Sequence, residues 1–133
     1  GAYAMAKFAR EMISVGDNLR RALDATPQER DELDEDWKNF VIGIEATERE
    51  LLKVFLQNGI ERIAPESGKF DPNLHEVMFE AAVPDQPNGT IIQLIEPGFR
   101  LKGRLLRPAR VGVAKNPNEP PPNEDGHLVD EEA

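Results

Sequence analysis

From Met5 onward the apolar residues Met5, Phe8, Met12, Val15, Leu19 and Ala22 return every three or four positions, the spacing that lays one stripe along an α-helix. Thr26-Pro27 ends that pattern, because proline removes a donor and disfavours helical backbone at the residue before it. The acidic run from Glu29 to Asp36 then reads as a solvated loop, the favoured state, or as a fraying helix start. A second helix is expected to begin near Asp36, a good N-cap, to turn Trp37, Phe40, Val41, Ile44, Leu51, Leu52, Phe55 and Leu56 inward, and to stop at Asn58-Gly59. Two such helices form an antiparallel hairpin, which alone leaves part of each apolar stripe wet. Burying the remainder at ~25 cal/mol per Å² favours a symmetric homodimer in which two hairpins make a four-helix bundle. Phe8, Met12, Val15, Leu19, Phe40, Ile44 and Leu51 are the expected dimer-interface residues.

Beyond Gly59 the helical period disappears. Pro65, Gly68, Pro72, Pro84, Pro87, Gly89, Pro97, Gly98 and Gly103 punctuate short runs rich in Val, Ile and Leu, the pattern of strands and turns. Strands are predicted over Glu61 to Ala64, Glu76 to Val83, Thr90 to Glu96 and Leu105 to Ala114, with a further extended piece starting at Phe99 and with Asn88-Gly89 as a hairpin turn. The fold class is therefore α+β: a helical dimerisation region over 1–59, a small all-β wing domain over 60–115, and an acidic, proline-rich tail over 116–133 that is expected to be disordered. No internal repeat is visible, which argues against a solenoid.

Charge narrows the partners. The formal net charge is −9, which opposes general affinity for nucleic acid or anionic membranes, since phosphate binding draws its free energy from Lys and Arg displacing counterions. No apolar stretch approaches the ~20 residues needed to cross a bilayer. The expectation is a cytoplasmic protein with a protein partner, no nucleic acid and no membrane. The absence of cysteine removes disulfides, thiolate nucleophiles and Cys-based metal sites.

The inventory for chemistry is thin. His75 and His127 are the two histidines, and Ser14 and Ser67 the two serines. Asp71 and His75 stand four apart around Pro72, where a turn carboxylate and a structural imidazole explain them better than a dyad or a metal site. Single glycines at Gly59, Gly68, Gly98 and Gly103 lack the spacing of a phosphate loop. Asp34, Glu35 and Asp36 lack the ordered ligand spacing of a calcium loop and read as a solvated acidic loop. The chain is expected to bind no cofactor and to be no enzyme. The basic stretch Arg100, Lys102, Arg104, Arg107, Arg110 and Lys115 reverses the overall sign; it fits the wet face of a half-buried sheet, a surface that meets an acidic partner, or an RNA-binding strip.

Several blocks together resemble the GrpE family of nucleotide exchange factors: Phe8-Ala9, Asp17-Asn18-Leu19-Arg20-Arg21-Ala22-Leu23, Gly43-Ile44-Glu45, Phe70-Asp71-Pro72-Asn73-Leu74-His75-Glu76, and, most specifically, Gly98 through Ala109 with Val113-Ala114-Lys115. The resemblance runs from about Tyr3 to Lys115. It implies a homodimer with a central four-helix bundle and a projecting β-wing on each chain, gripping the ATPase domain of a DnaK-class chaperone so that its cleft opens and ADP leaves. By the same resemblance the chaperone-facing positions fall on Arg21, Asp24, Gly43, Phe70, Pro72, Ile95 and Arg104. For Gly43, a glycine inside a helix that costs ~1 kcal/mol relative to Ala, there are two readings, a close-packing reason and a simply tolerated weak point. The family carries a long paired helix ahead of the Phe8-Ala9 segment, so a shortened form lacking most of that helix is expected. Two other functions compete: a dimeric scaffold or adaptor without exchange activity, and an RNA-binding β-domain on a helical dimeriser.

Overall fold

The computed structural model describes residues 1–27 and 34–118. The expected loop at Glu29 to Leu33 and the expected disorder of the tail beyond Asn118 lie outside the described residues. Two helices are followed by six strands: α1 (Ala2–Asp24), α2 (Glu35–Gln57), β1 (Ile60–Ile63), β2 (His75–Ala82), β3 (Ile91–Glu96), β4 (Gly98–Leu101), β5 (Arg104–Arg107) and β6 (Ala109–Lys115).

The start of α2 differs from expectation. Asp34, rather than Asp36, is the N-cap, and its carboxylate accepts the Trp37 N–H at 2.9 Å. Glu35 and Asp36 therefore lie in the first helical turn, where acids favour the positive end of the helix dipole, and not in a loop. The helix ends where Asn58-Gly59 predicts, with Gly59 at φ +79° in the left-handed region that L side chains avoid.

The face α1 turns to α2 is offset by one residue from the predicted stripe. Ala6, Ala9, Ile13 and Leu23 are buried, and a side chain at Gly16 would meet Leu51 Cδ2 at 3.2 Å. Small residues at 6, 9 and 16 let α2 come close, and Val41 and Phe55 are its buried contribution. Trp37, Phe40 and Leu56, expected inward, are exposed at 58%, 59% and 68%. A single hairpin has only one inner seam, too narrow for every apolar residue of both helices.

The strands form two three-stranded sheets, ordered β1-β4-β5 and β2-β6-β3. The long strand predicted over Leu105 to Ala114 is instead split at Pro108 into β5 and β6, since proline supplies no ladder donor. The expected hairpin at Asn88-Gly89 is also replaced. β6 lies between β2 and β3, parallel to the first and antiparallel to the second, so the segment through Asn88-Gly89 passes over the end of β6. There Gly89, at φ +82°, donates to the Ala114 carbonyl at 2.9 Å, and Asn88 Oδ1 accepts the Asn116 N–H at 2.6 Å. Being central, β6 is buried from Val111 to Ala114. Ile91, Ala109, Val111 and Val113 form its core, with Ile63, Phe70, Val77 and Leu94 packed around them. A Cβ on Gly112 would run into the Phe79 ring, which lies over it.

By compactness the chain divides into two units. Gly1–Glu61 with Arg100–Leu106 make the first, and Arg62–Phe99 with the described part of Arg107–Ala133 make the second.

Candidate interaction surfaces

In the first unit the predicted stripe of α1 is left without cover. Phe8 is 60% and Val15 54% exposed, Met5 is exposed, and Met12 and Leu19 are half-buried. On α2, Phe40 is exposed, while Ile44 and Leu51 are half-buried. Met5, Phe8, Ala9, Met12, Leu51, Val54, Phe55, Asn58 and Ile60 line an apolar hollow of about 180 Å³. Val54 belongs to this surface and was not expected there, although its place three residues after Leu51 is the helical signal that could have found it. At the other end of the hairpin Trp37 and Phe40 stand edge to face, ring centroids 5.6 Å apart. So much exposed apolar surface on one helix pair is the mark of an interface.

The expected chaperone-facing residues of this unit are all exposed. Arg21 donates to Asn18 Oδ1 and so stays along its own helix. Asp24 pairs with Arg20 at 3.1 Å, and Arg20 also reaches Glu48 of α2 at 2.9 Å, tying the two helices. Gly43 corrects the close-packing reading: a Cβ there would meet nothing within 4 Å, so no close packing among the described residues requires a glycine. Its carbonyl accepts the Thr47 hydroxyl at 2.9 Å.

In the second unit Phe70 is half-buried against the β6 core, and Pro72 is exposed. Between them Asp71 closes a turn, its Oδ1 accepting the Asn73 N–H at 2.9 Å and its N–H donating to His75 Nδ1 at 2.9 Å. The imidazole thus meets backbone and not the Asp71 carboxylate. Ile95 is 45% exposed at an irregularity in the β3–β6 register, between Leu94 and Glu96. An extra residue of this kind leaves the ladder and redirects its side chain.

Three of the six residues of the basic stretch are paired with acids among the described residues. Arg100 holds Glu61, Arg107 approaches Glu96 at 3.6 Å and sits over the Phe99 ring, and Arg110 lies between Glu76 and Glu96 at 3.9 and 3.6 Å. Arg104 has no ion-pair or hydrogen-bond partner among the described residues and is exposed. It follows the Lys102-Gly103 turn, where Lys102 adopts φ +48° and its N–H donates to the Gly59 carbonyl at 2.8 Å.

Among the described residues no group of three or more His, Asp or Glu side chains could hold a metal ion. No described helix is long and apolar enough to cross a membrane. His127 lies outside the described residues.

The GrpE family model matches residues 1–115. The chain is 49% identical over 114 residues to Protein GrpE of Brucella melitensis, covering 86% of this chain and 50% of the relative. To Protein GrpE of Mesorhizobium japonicum it is 50% identical, over 85% and 54% of the two chains. To Protein GrpE of Rhizobium leguminosarum bv. trifolii it is 45% identical over 130 residues, 97% of this chain and 62% of the relative. The chain spans about half the length of the first two and under two thirds of the third.

Proposed function

We propose, from the premise that the chain belongs to the GrpE family, that it is a cytoplasmic cochaperone: it binds the ATPase domain of a DnaK-class chaperone and opens the nucleotide cleft, accelerating ADP release without bond chemistry of its own. The observation that carries this reading is Arg104. Among the described residues it is the arginine of the basic stretch whose guanidinium is not taken by an acid, and it falls within the block that most resembles the family. A free, exposed arginine beside a fixed turn can make a charge-assisted contact to a carboxylate of the partner. Phe70, Pro72 and Ile95 add apolar area in the second unit, and Arg21, Asp24 and Gly43 lie on the helices. The bare helical surface at Gly43 suits close approach by the chaperone.

The stripe of exposed Phe8, Val15 and Phe40 with half-buried Met12, Leu19, Ile44 and Leu51 is the surface on which two hairpins pair as a homodimeric four-helix bundle. Pairing would stiffen the helical region. Stiffness matters because exchange is differential binding: the factor shifts the cleft toward its open form only by as much as it prefers that form. A preference of ~3 kcal/mol moves the equilibrium more than a hundredfold. The RNA-binding alternative is weakened, since Arg100, Arg107 and Arg110, half of the basic stretch, are engaged by glutamates and counterion release draws on free cations.

The reading is tested by linkage. If the protein prefers the open cleft, its affinity for the chaperone ATPase domain falls as ADP is added, by the same factor as ADP affinity falls when the protein is added. Calorimetric titration with and without ADP measures both; equal affinities would leave only the adaptor function.

A further inference from the structure

The turn between Phe70 and His75 is closed by a side chain that the functional reading has not used. Asp71 is engaged through its N–H, its carbonyl and one carboxylate oxygen. Its N–H donates to His75 Nδ1 at 2.9 Å, its Oδ1 accepts the Asn73 N–H at 2.9 Å, and its carbonyl accepts the Leu74 and His75 N–H groups at 3.0 and 2.8 Å. The His75 ring also stands beside Phe70, centroids 6.0 Å apart and tilted by 45°. The imidazole therefore touches both the backbone between Phe70 and Pro72 and the Phe70 ring itself.

We propose that His75 is a positioning residue for chaperone binding: its neutral ring, through Nδ1, holds the turn that presents Phe70 and Pro72, and a proton on Nδ1 releases that turn. The inference rests on the function proposed above and adds a way in which it is regulated.

The chemistry follows from the direction of one hydrogen bond. A backbone N–H can donate only to a lone pair, so the ring proton must sit on Nε2 and Nδ1 must be bare. A second proton turns Nδ1 into a donor aimed at a donor. Attraction becomes repulsion, and Asp71, half-buried, loses its partner. Imidazole is the side chain whose charge changes within roughly pH 5 to 8.

Of the charged groups nearby, the Asp71 carboxylate accepts the Asn73 N–H through Oδ1 at 2.9 Å. Opposite His75 on β6 is Ala109, whose N–H goes to the Leu74 carbonyl at 3.0 Å. In the next row Glu76 and Arg110 face each other at 3.9 Å. The turn is thus held on the alkaline side and released as pH falls.

Two variants separate the acceptor from the ring. His75→Asn keeps an oxygen acceptor near the place of Nδ1 and cannot ionise, whereas His75→Phe keeps a ring beside Phe70 and has no acceptor. Nitrogen-15 NMR of the intact chain at pH 7.5 should show an unprotonated Nδ1, and the Asp71 amide should shift along the imidazole titration. In ADP-release assays with a DnaK-class chaperone, wild type should lose acceleration as pH falls, relative to His75→Asn, which cannot ionise. His75→Phe at pH 7.5 should need roughly three- to tenfold more protein for the same rate. A proton found on Nδ1, or identical pH profiles for wild type and His75→Asn, overturns the inference while exchange itself stands. Absence of acceleration by wild type at every pH instead removes the proposed function, and the role of His75 toward the chaperone with it; the NMR result still decides the hydrogen bond on its own.

Discussion

Arg100 grips Glu61 through two parallel contacts, Nε to Oε2 at 2.7 Å and Nη2 to Oε1 at 3.0 Å, joining β4 to β1 just before the turn that leads to Arg104. The hydrogen bond from Arg100 holds the Glu61 carboxyl below the usual carboxylate range, and the same contact raises Arg100. Because the folded value of Glu61 is depressed, the contribution is present in full above the carboxylate range and is lost as pH falls through the folded value. The gap in melting temperature between wild type and Glu61→Gln should be open near neutral pH and narrow below about pH 4. It should also shrink in about 1 M salt, since both groups face solvent. A gap that is absent near neutral pH, or that does not change on acidification, would show the pair to be idle.

Gly98 stands where backbone approaches backbone. A Cβ there would lie 2.6 Å from both the Arg107 carbonyl oxygen and the Pro108 carbonyl carbon, and against the Ala109 nitrogen as well. None of these atoms can swing away as a side-chain end does. Gly98→Ala should therefore cost about 3 kcal/mol or more, by the overpacking argument, read as a fall in denaturation midpoint. Gly68→Ala makes an informative contrast: its Cβ would meet nothing within 4 Å, and its cost comes from φ +88° alone.

The apolar stripe supplies a prediction of assembly. Phe8→Asp places a carboxylate on a surface that is 60% exposed in one chain and buried in the proposed dimer. Sedimentation should show wild type as a dimer and the variant as a monomer with its helices intact by circular dichroism, because a buried unpaired charge costs several kcal/mol. A variant that sediments as wild type does would move the dimer contact elsewhere.

How far the architecture could be read from residue order depends on the range of the interaction involved. Both helices, their ends at Thr26-Pro27 and Asn58-Gly59, and most strands follow from local period and from proline and glycine chemistry. The Asp34 cap was misplaced by two residues because Asp34, Glu35 and Asp36 are chemically near-equivalent, and only the backbone geometry selects one. Insertion of β6 between β2 and β3 was not legible, since Asn88-Gly89 is a good turn whether or not its flanking strands pair. The seam Ala6, Ala9, Gly16 was hidden for a different reason: small residues make weak hydrophobic signals, yet they are the ones that let two helices touch. Among the candidate contacts, Arg104 could be named from the block around it. That it is free while Arg100, Arg107 and Arg110 are engaged depends on Glu61, Glu76 and Glu96, whose distance in sequence concealed the pairing.

The most direct measurement is the rate at which a fluorescent ADP analogue leaves a DnaK-class chaperone in stopped flow, with wild type and Arg104→Ala compared at equal dimer content. Wild type should accelerate release, and Arg104→Ala should require about tenfold more protein to do so, the loss expected when a central charged contact is truncated. Release no faster with wild type than with the chaperone alone would contradict the account.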